Sequence, residues 1–232
     1  MHPLDKTARL AGLLYLLVVI TGLFTLVYAP GQLFVAGDAT AVARNILAHQ
    51  SLFRANIAVS LCSELCFIAT ALALYRLLKE TGPRLAAAMV LLVLLGAPLA
   101  FAGIANAWAT LTFLRGADFL AAFDEPQRNA LAMMLIHLND QADSVSQVFW
   151  GLWLLPLGRL VYRSGFLPRF LGGWLIVNGL VYVGLSVTEL FAPDILKTVS
   201  RLAFPALFGE VAFTLWLLLV GVRSRSSAIA AT

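Results

Sequence analysis

The chain has 232 residues, of which 61% are hydrophobic and only 12% charged, with a formal net charge of +4 and a mean hydropathy of +0.89. Soluble domains carry charge on about a quarter of their residues, and a globule of this length has no core large enough to bury so much apolar sequence. The cations sit in short clusters at the ends of apolar runs, which excludes a nucleic-acid surface and reads as membrane topology.

Six apolar segments are each close to the ~20 residues that cross a hydrocarbon core. They lie at roughly 8–28, 53–78, 85–114, 144–162, 168–190 and 204–222. The expectation is an all-α, polytopic transmembrane bundle: one six-helix membrane domain over 1–223, followed by a disordered cytoplasmic tail over 224–232. Lys6 and Arg9 precede the first segment, which is longer than a signal-peptide core, and Pro30 follows its exit, so a retained helix is expected. Cys62 and Cys66 fall inside the second segment, and at i,i+4 on one helix they read as small core packers rather than a disulfide. Pro98, Pro156 and Pro205 lie inside the third, fourth and sixth segments and predict tilts or kinks.

The connections fall into two sets. Lys79-Glu80-Thr81-Gly82-Pro83-Arg84 and Arg163–Arg169 are tight, basic turns. The other three are longer and predict short amphipathic helices on the outer side. Asp38 is placed to cap Ala39–His49. Asp124-Glu125-Pro126 starts a helix over Pro126–Gln141 that runs on into the fourth span. Ala192-Pro193-Asp194 precedes an amphipathic piece, Ile195–Leu202. With both termini on one side, that side holds ten of the sixteen Lys and Arg residues, and its loops are the short ones that weigh most. This places the N- and C-termini in the cytoplasm of a cell whose inner membrane holds the chain. Three spans on either side of the middle would allow an inverted repeat, a question that the absence of clearly matching sequence between the halves leaves open.

An acid inside a bilayer is a functional candidate by default. Glu64 falls ~16 Å below the start of its span and Glu210 ~9 Å inside the last one, at 1.5 Å per residue. Asn56, Ser60 and Glu64 follow the i, i+4, i+8 spacing and give the second span one polar stripe. His137, Asp140, Ser144 and Gln147 do the same on the fourth, with Asp143 beside them. Asn106 and Asn178 add amides on the third and fifth spans. Facing one another, these residues would line a polar pocket open to the outside, fit for a small molecule, a lipid or a cation. Trp150 and Trp153, on a shared face, would wall it. The plainer reading is that the same groups join helices by hydrogen bonds, and that His137 and Asp140 lie on a solvated face.

Catalytic motifs are missing. His2, His49 and His137 are too few and too scattered for a metal hydrolase or a haem bundle. There is no Gly-x-Ser-x-Gly turn and no phosphate-binding glycine pattern. No catalytic residue, metal site or cofactor is expected, and an enzyme, lipid-modifying at most, ranks behind two other functions. One is a transporter- or sensor-like binding protein. The other is an accessory subunit whose partner is another membrane protein.

Several stretches carry a resemblance to a known family. They are Ala8-Arg9-Leu10-Ala11-Gly12-Leu13-Leu14-Tyr15-Leu16, Gly37-Asp38-Ala39, Leu52-Phe53-Arg54, Ala73-Leu74-Tyr75-Arg76-Leu77-Leu78, and Phe149–Tyr162 followed by Ser164-Gly165-Phe166-Leu167-Pro168-Arg169 and Leu171-Gly172. Together they are similar to the bacterial membrane proteins grouped as domain of unknown function 4386. The resemblance implies a six-helix integral membrane protein and supplies neither an activity nor site residues.

Overall fold

The computed structural model describes residues 3–35 and 37–222; the predicted tail at 224–232 lies outside them. The described residues are helical throughout, with no strand among them. Helix α1 (Pro3–Leu23) passes through a π-helical turn, Phe24–Tyr28, into α2 (Ala29–Leu33). Then come α3 (Ala39–Ala48), α4 (Gln50–Leu78), α5 (Pro83–Arg115), α6 (Glu125–Arg163), α7 (Arg169–Phe191) and α8 (Leu196–Leu219).

Five helices are long and apolar enough to cross a membrane: Leu4–Leu33, Gln50–Leu78, Pro83–Arg115, Arg169–Phe191 and Pro193–Leu219. This is the architecture of an integral membrane protein. The predicted 144–162 span lies within α6, whose Ser144, Ser146, Gln147 and Arg159 dilute its apolar run, and it is not one of the five. Pro98, Pro156 and Pro205 all sit inside continuous helices. The predicted Ile195–Leu202 piece is not a separate element. A 3₁₀ turn at Pro193–Ile195 leads straight into α8, which absorbs the rest.

The helix starts follow local chemistry. Asp38 Oδ1 accepts from Ala41 N at 2.8 Å and caps α3. At the head of α6, Gln127 N donates to Asp124 Oδ1 at 2.8 Å and Asp124 N donates back to Gln127 Oε1 at 3.0 Å, a reciprocal cap.

The chain groups into two compact units. The first comprises the described residues of Met1–Val18, Cys66–Ala97 and Ser144–Thr232. Its core holds Tyr15, Leu74, Met89, Trp153, Leu171 and Phe213, each no more than 1% exposed. The Trp153 ring lies 4.9 Å from Phe67 and 5.8 Å from Tyr15, centroid to centroid. Trp153 is therefore a core residue rather than a pocket wall.

In this unit α6 and α7 approach backbone to backbone. A Cβ on Gly158 would lie 2.6 Å from Gly172 O, and one on Gly151 would lie 2.5 Å from Gly179 O. Both pairs repeat at i,i+7, so two turns of each helix carry the contact on one face. The tight turn joining them is set by Gly165 at φ +73°. Ser164, buried beside it, donates to Val161 O at 2.9 Å and accepts from Leu167 N at 3.2 Å. Near the chain ends, Arg9 Nη1 donates to Leu218 O at 3.1 Å and its Nε pairs with Asp5 Oδ2 at 3.2 Å. A cation thereby caps the carbonyl end of α8.

The second unit comprises Val19–Leu65 and Pro98–Asp143. Its core is Leu33, Val42, Ile46, Phe53, Leu111 and Leu114, joined by Ala29, Ala43, Ile57 and Ala132. Thr21 Oγ1 donates to Ser63 Oγ at 2.8 Å, tying α1 to α4. Cys62 is exposed and Cys66 half-buried, both free thiols. The expectation that they pack a core is thus wrong for Cys62, because i,i+4 spacing fixes a shared face but not which way that face points.

Candidate functional site

Two polar sites emerge, one in each unit. In the second unit, a cavity of ≈ 230 Å³ is lined by polar groups from four helical segments. Thr25 comes from the π turn, Asn56 from α4, Thr110 from α5, and Asn139, Asp140 and Asp143 from α6. Phe34 and Phe53 supply apolar wall. A π turn carries an extra residue per turn and redirects the side chains around it; here that turn delivers Thr25 and Leu26 to the cavity, with Pro30 just beyond.

No Lys, Arg or His contributes to the lining, while two carboxylates do. The electrostatics therefore favour a cation. Burial, with the Asp140 charge as the second cause, raises the Asp143 carboxyl from 3.8 to about 6. Asn56 Oδ1 is buried and has no hydrogen-bond partner among the described residues.

In the first unit, Glu210 of α8 is the centre of a hydrogen-bonded node. Tyr15 Oη of α1 donates to Glu210 Oε2. Asn178 Nδ2 of α7 donates to Glu210 Oε1 at 3.1 Å, and Tyr182, one turn further along α7, bonds the same carboxylate. Tyr15 is 1% exposed and Asn178 fully buried. Asn178 Oδ1 and Thr214 Oγ1, also buried, have no hydrogen-bond partner among the described residues.

The predicted residues thus divide. Asn56, Asp140 and Asp143 share the cavity, and Glu210 and Asn178 share the node. His137 is exposed, with Nδ1 3.9 Å from Asp140 Oδ2, and does not line the cavity. Ser60, Glu64 and Asn106 are half-buried and do not line it either. The Asn106 carbonyl accepts from Thr110 Oγ1 at 2.9 Å. Glu64 has no hydrogen-bond or ion-pair partner among the described residues. Sequence reasoning passed over Tyr15, Tyr182, Thr25 and Asn139. Asking which residues could donate to a carboxylate inside a span would have singled out the two tyrosines, because each carries an O–H in otherwise apolar helix.

The profile of a domain of unknown function, DUF4386, matches residues 10–221. The chain belongs to this family. The DUF4386 match takes in both the cavity and the Glu210 node. An uncharacterised protein of Archaeoglobus fulgidus is 30% identical over 74 residues, 32% of this chain and 43% of that protein's length. The match therefore spans less than half of that relative. No solved structure matches the chain.

Proposed function

We propose that this DUF4386 protein is a six-span inner-membrane protein that binds a small organic cation in an outward-open pocket, in the manner of a transporter or sensor. The observation that carries this reading is the ≈ 230 Å³ cavity. It combines two acids, two amides and two hydroxyls with an aromatic wall and has no basic side chain in its lining. Ligand sites in proteins place a few convergent polar groups beside apolar wall, and this lining, about evenly divided between the two, suits a small charged ligand. The volume is below that of drug-sized sites and suits an alkylamine or a small quaternary ammonium ion, whose charge the carboxylates meet and whose carbons Phe34 and Phe53 cover.

The sixth span in this reading is 144–162. Its serines meet protein rather than lipid: Ser146 is buried, and Ser144 O accepts from Ser186 Oγ of α7 at 2.7 Å. An even number of spans puts both termini on the cytoplasmic side, as the Lys and Arg bias requires, and turns the connections around Asp38 and Asp124 outward.

The test is a thermal-shift series on the detergent-purified chain with choline, tetramethylammonium and short alkylamines. A neutral tert-butyl alcohol of matching shape serves as control. Stabilisation by an ammonium compound that is absent with the alcohol, and lost in Asp143→Asn, supports the pocket. Equal shifts for the charged and neutral compounds would sink it.

A further inference from the structure

The Glu210 node has a chemistry the cavity lacks, and the argument for it is independent of the cavity. Its groups come from three of the five membrane-crossing helices, α1, α7 and α8. Every heteroatom it offers is oxygen except the Asn178 amide nitrogen. A carboxylate in hydrocarbon needs a proton, a counter-cation or enough donors to offset lost hydration. No Lys, Arg or His is within ion-pair distance of Glu210 among the described residues. The titratable groups facing it are Tyr15 from α1 and Tyr182 from α7. The ring neighbours of Tyr15 are Trp153 of α6 and Phe213 of α8, both neutral.

Two buried oxygens on the node's own helices are left over. Asn178 Oδ1 and Thr214 Oγ1 are buried without partners, and such atoms cost free energy unless something meets them. Turning the Asn178 amide over does not remove the difficulty. It would set Oδ1 at the present 3.1 Å separation from Glu210 Oε1, an arrangement of two acceptors that needs a proton or a cation between them. Thr214, four residues after Glu210, lies on the same face of α8 one turn on. Water would meet such oxygens but leave the carboxylate's charge in place, and a proton on Glu210 would remove the charge but leave Thr214 Oγ1 unmet. A cation does both.

We infer that Glu210, Asn178, Thr214, Tyr15 and Tyr182 form a binding site for a monovalent metal cation within the membrane-spanning part of the protein. Hard oxygen donors suit alkali metals rather than the softer transition ions. The single carboxylate selects charge +1: a monovalent ion leaves the site neutral in hydrocarbon, whereas a divalent ion would leave a net charge there. Calcium sites also draw on more than one carboxylate as a rule. A bound cation would link α1, α7 and α8 through one centre, so its arrival and departure would change how firmly these helices are held.

The experiment uses the full chain in detergent at pH 8. Sodium chloride or potassium chloride is exchanged for choline chloride at constant ionic strength in an Asp143→Asn background, where the cavity no longer responds to choline, and the melting temperature is followed. The expected result is a saturable rise with at least one alkali cation, reaching about 5–10 °C when the cation exceeds Kd a hundredfold. Glu210→Gln, close in shape, should abolish the rise. Should that variant fail to fold, Thr214→Val removes only the hydroxyl and should push the midpoint to at least tenfold higher cation concentration. Identical melting in sodium, potassium and choline overturns the inference and leaves the node a hydrogen-bonded helix contact. So does a rise that survives undiminished in Glu210→Gln and Thr214→Val, which would put the cation elsewhere.

Discussion

Tyr15 of α1 donates a hydrogen bond to Glu210 of α8 across 195 residues of chain. The tyrosine ring is held at the same time by Trp153 and Phe213, at 5.8 and 6.4 Å between centroids. The first and last helices are thereby joined by an apolar contact and a polar one from a single side chain. Tyr15→Phe separates them, because it keeps the ring and deletes the donor. Interhelical hydrogen bonds in membranes average only ~0.6 kcal/mol and reach ~1.7, and a charged acceptor favours the upper end. With ~2–4 °C per kcal/mol for a chain of this size, Tyr15→Phe should melt about 3–7 °C lower. Unchanged melting would mean that the ring contacts alone hold the pair.

The α6–α7 contact makes a sharper prediction because it compares adjacent glycines. A Cβ on Gly172 would lie 2.6 Å from both Gly158 O and Tyr162 N, whereas Gly173 has nothing within 4 Å. Backbone cannot give way as a flexible side chain can, so Gly172→Val should force the helices apart and cost several kcal/mol, of the order seen for severe overpacking. Gly173→Val should cost under about 1 kcal/mol, since it faces open space. Size-exclusion profiles of the two proteins in detergent test this directly: aggregation of the first with a parent-like peak for the second is expected. Similar behaviour of the two would show that the helices do not pack through Gly172.

These two cases mark what could be read from the residues alone. The five long apolar stretches, the Asp38 cap and the start of α6 at Asp124 are local features, set by composition and by residues within a turn of each other. The polar stripes were expected to share one pocket; Asn56, Asp140 and Asp143 line one cavity, while Ser60 and Glu64 do not line it and Glu210 belongs to the other unit. The donors to Glu210 gave no signal, because a tyrosine in an apolar run scores as one more hydrophobic residue until its hydroxyl is asked for a partner. The π turn was equally silent, since nothing in Phe24-Thr25-Leu26-Val27-Tyr28 distinguishes it from ordinary α-helix. Ile195–Leu202 was expected as a piece apart from the 204–222 span, whereas α8 runs unbroken through both, with Pro205 inside it.

The chain ends allow a comparison between a surface ion pair and backbone strain. The Asp5–Arg9 pair is exposed on the arginine side, 44% by side-chain area, so its Coulomb gain is screened and worth little. Gly221, by contrast, sits at φ +71° directly after the last turn of α8 and bonds back to Trp216 O at 2.9 Å. A left-handed C-terminal position costs a residue with a Cβ ~1 kcal/mol or more. Gly221→Ala should therefore lower the melting temperature by more than Asp5→Asn does, and chemical-denaturant or thermal melts of the two will rank them. The reverse order would mean that Asp5, whose Oδ1 also accepts from Val222 N at 3.4 Å, holds the end of α8 more firmly than the ion pair alone implies.

Asp143 carries the pH prediction. Its folded-state carboxyl titrates at about 6 against an ordinary 3.8, with burial as the main cause and the Asp140 charge as the second. Between these values the folded state holds a proton that the unfolded chain has released. Stability therefore falls as pH rises from about 4 to 6 and levels off above the folded-state value. Asp143→Asn, which cannot ionise, should remove that slope and melt higher than the parent at pH 7, where the parent must keep a charge half-buried. Cation binding in the cavity should run the opposite way, strengthening as pH rises through about 6 while Asp143 becomes charged. Melts of both proteins at pH 4 to 8, with and without the stabilising ammonium compound, separate the two trends. A parent curve as flat as that of Asp143→Asn would show that the carboxyl is hydrated and titrates normally.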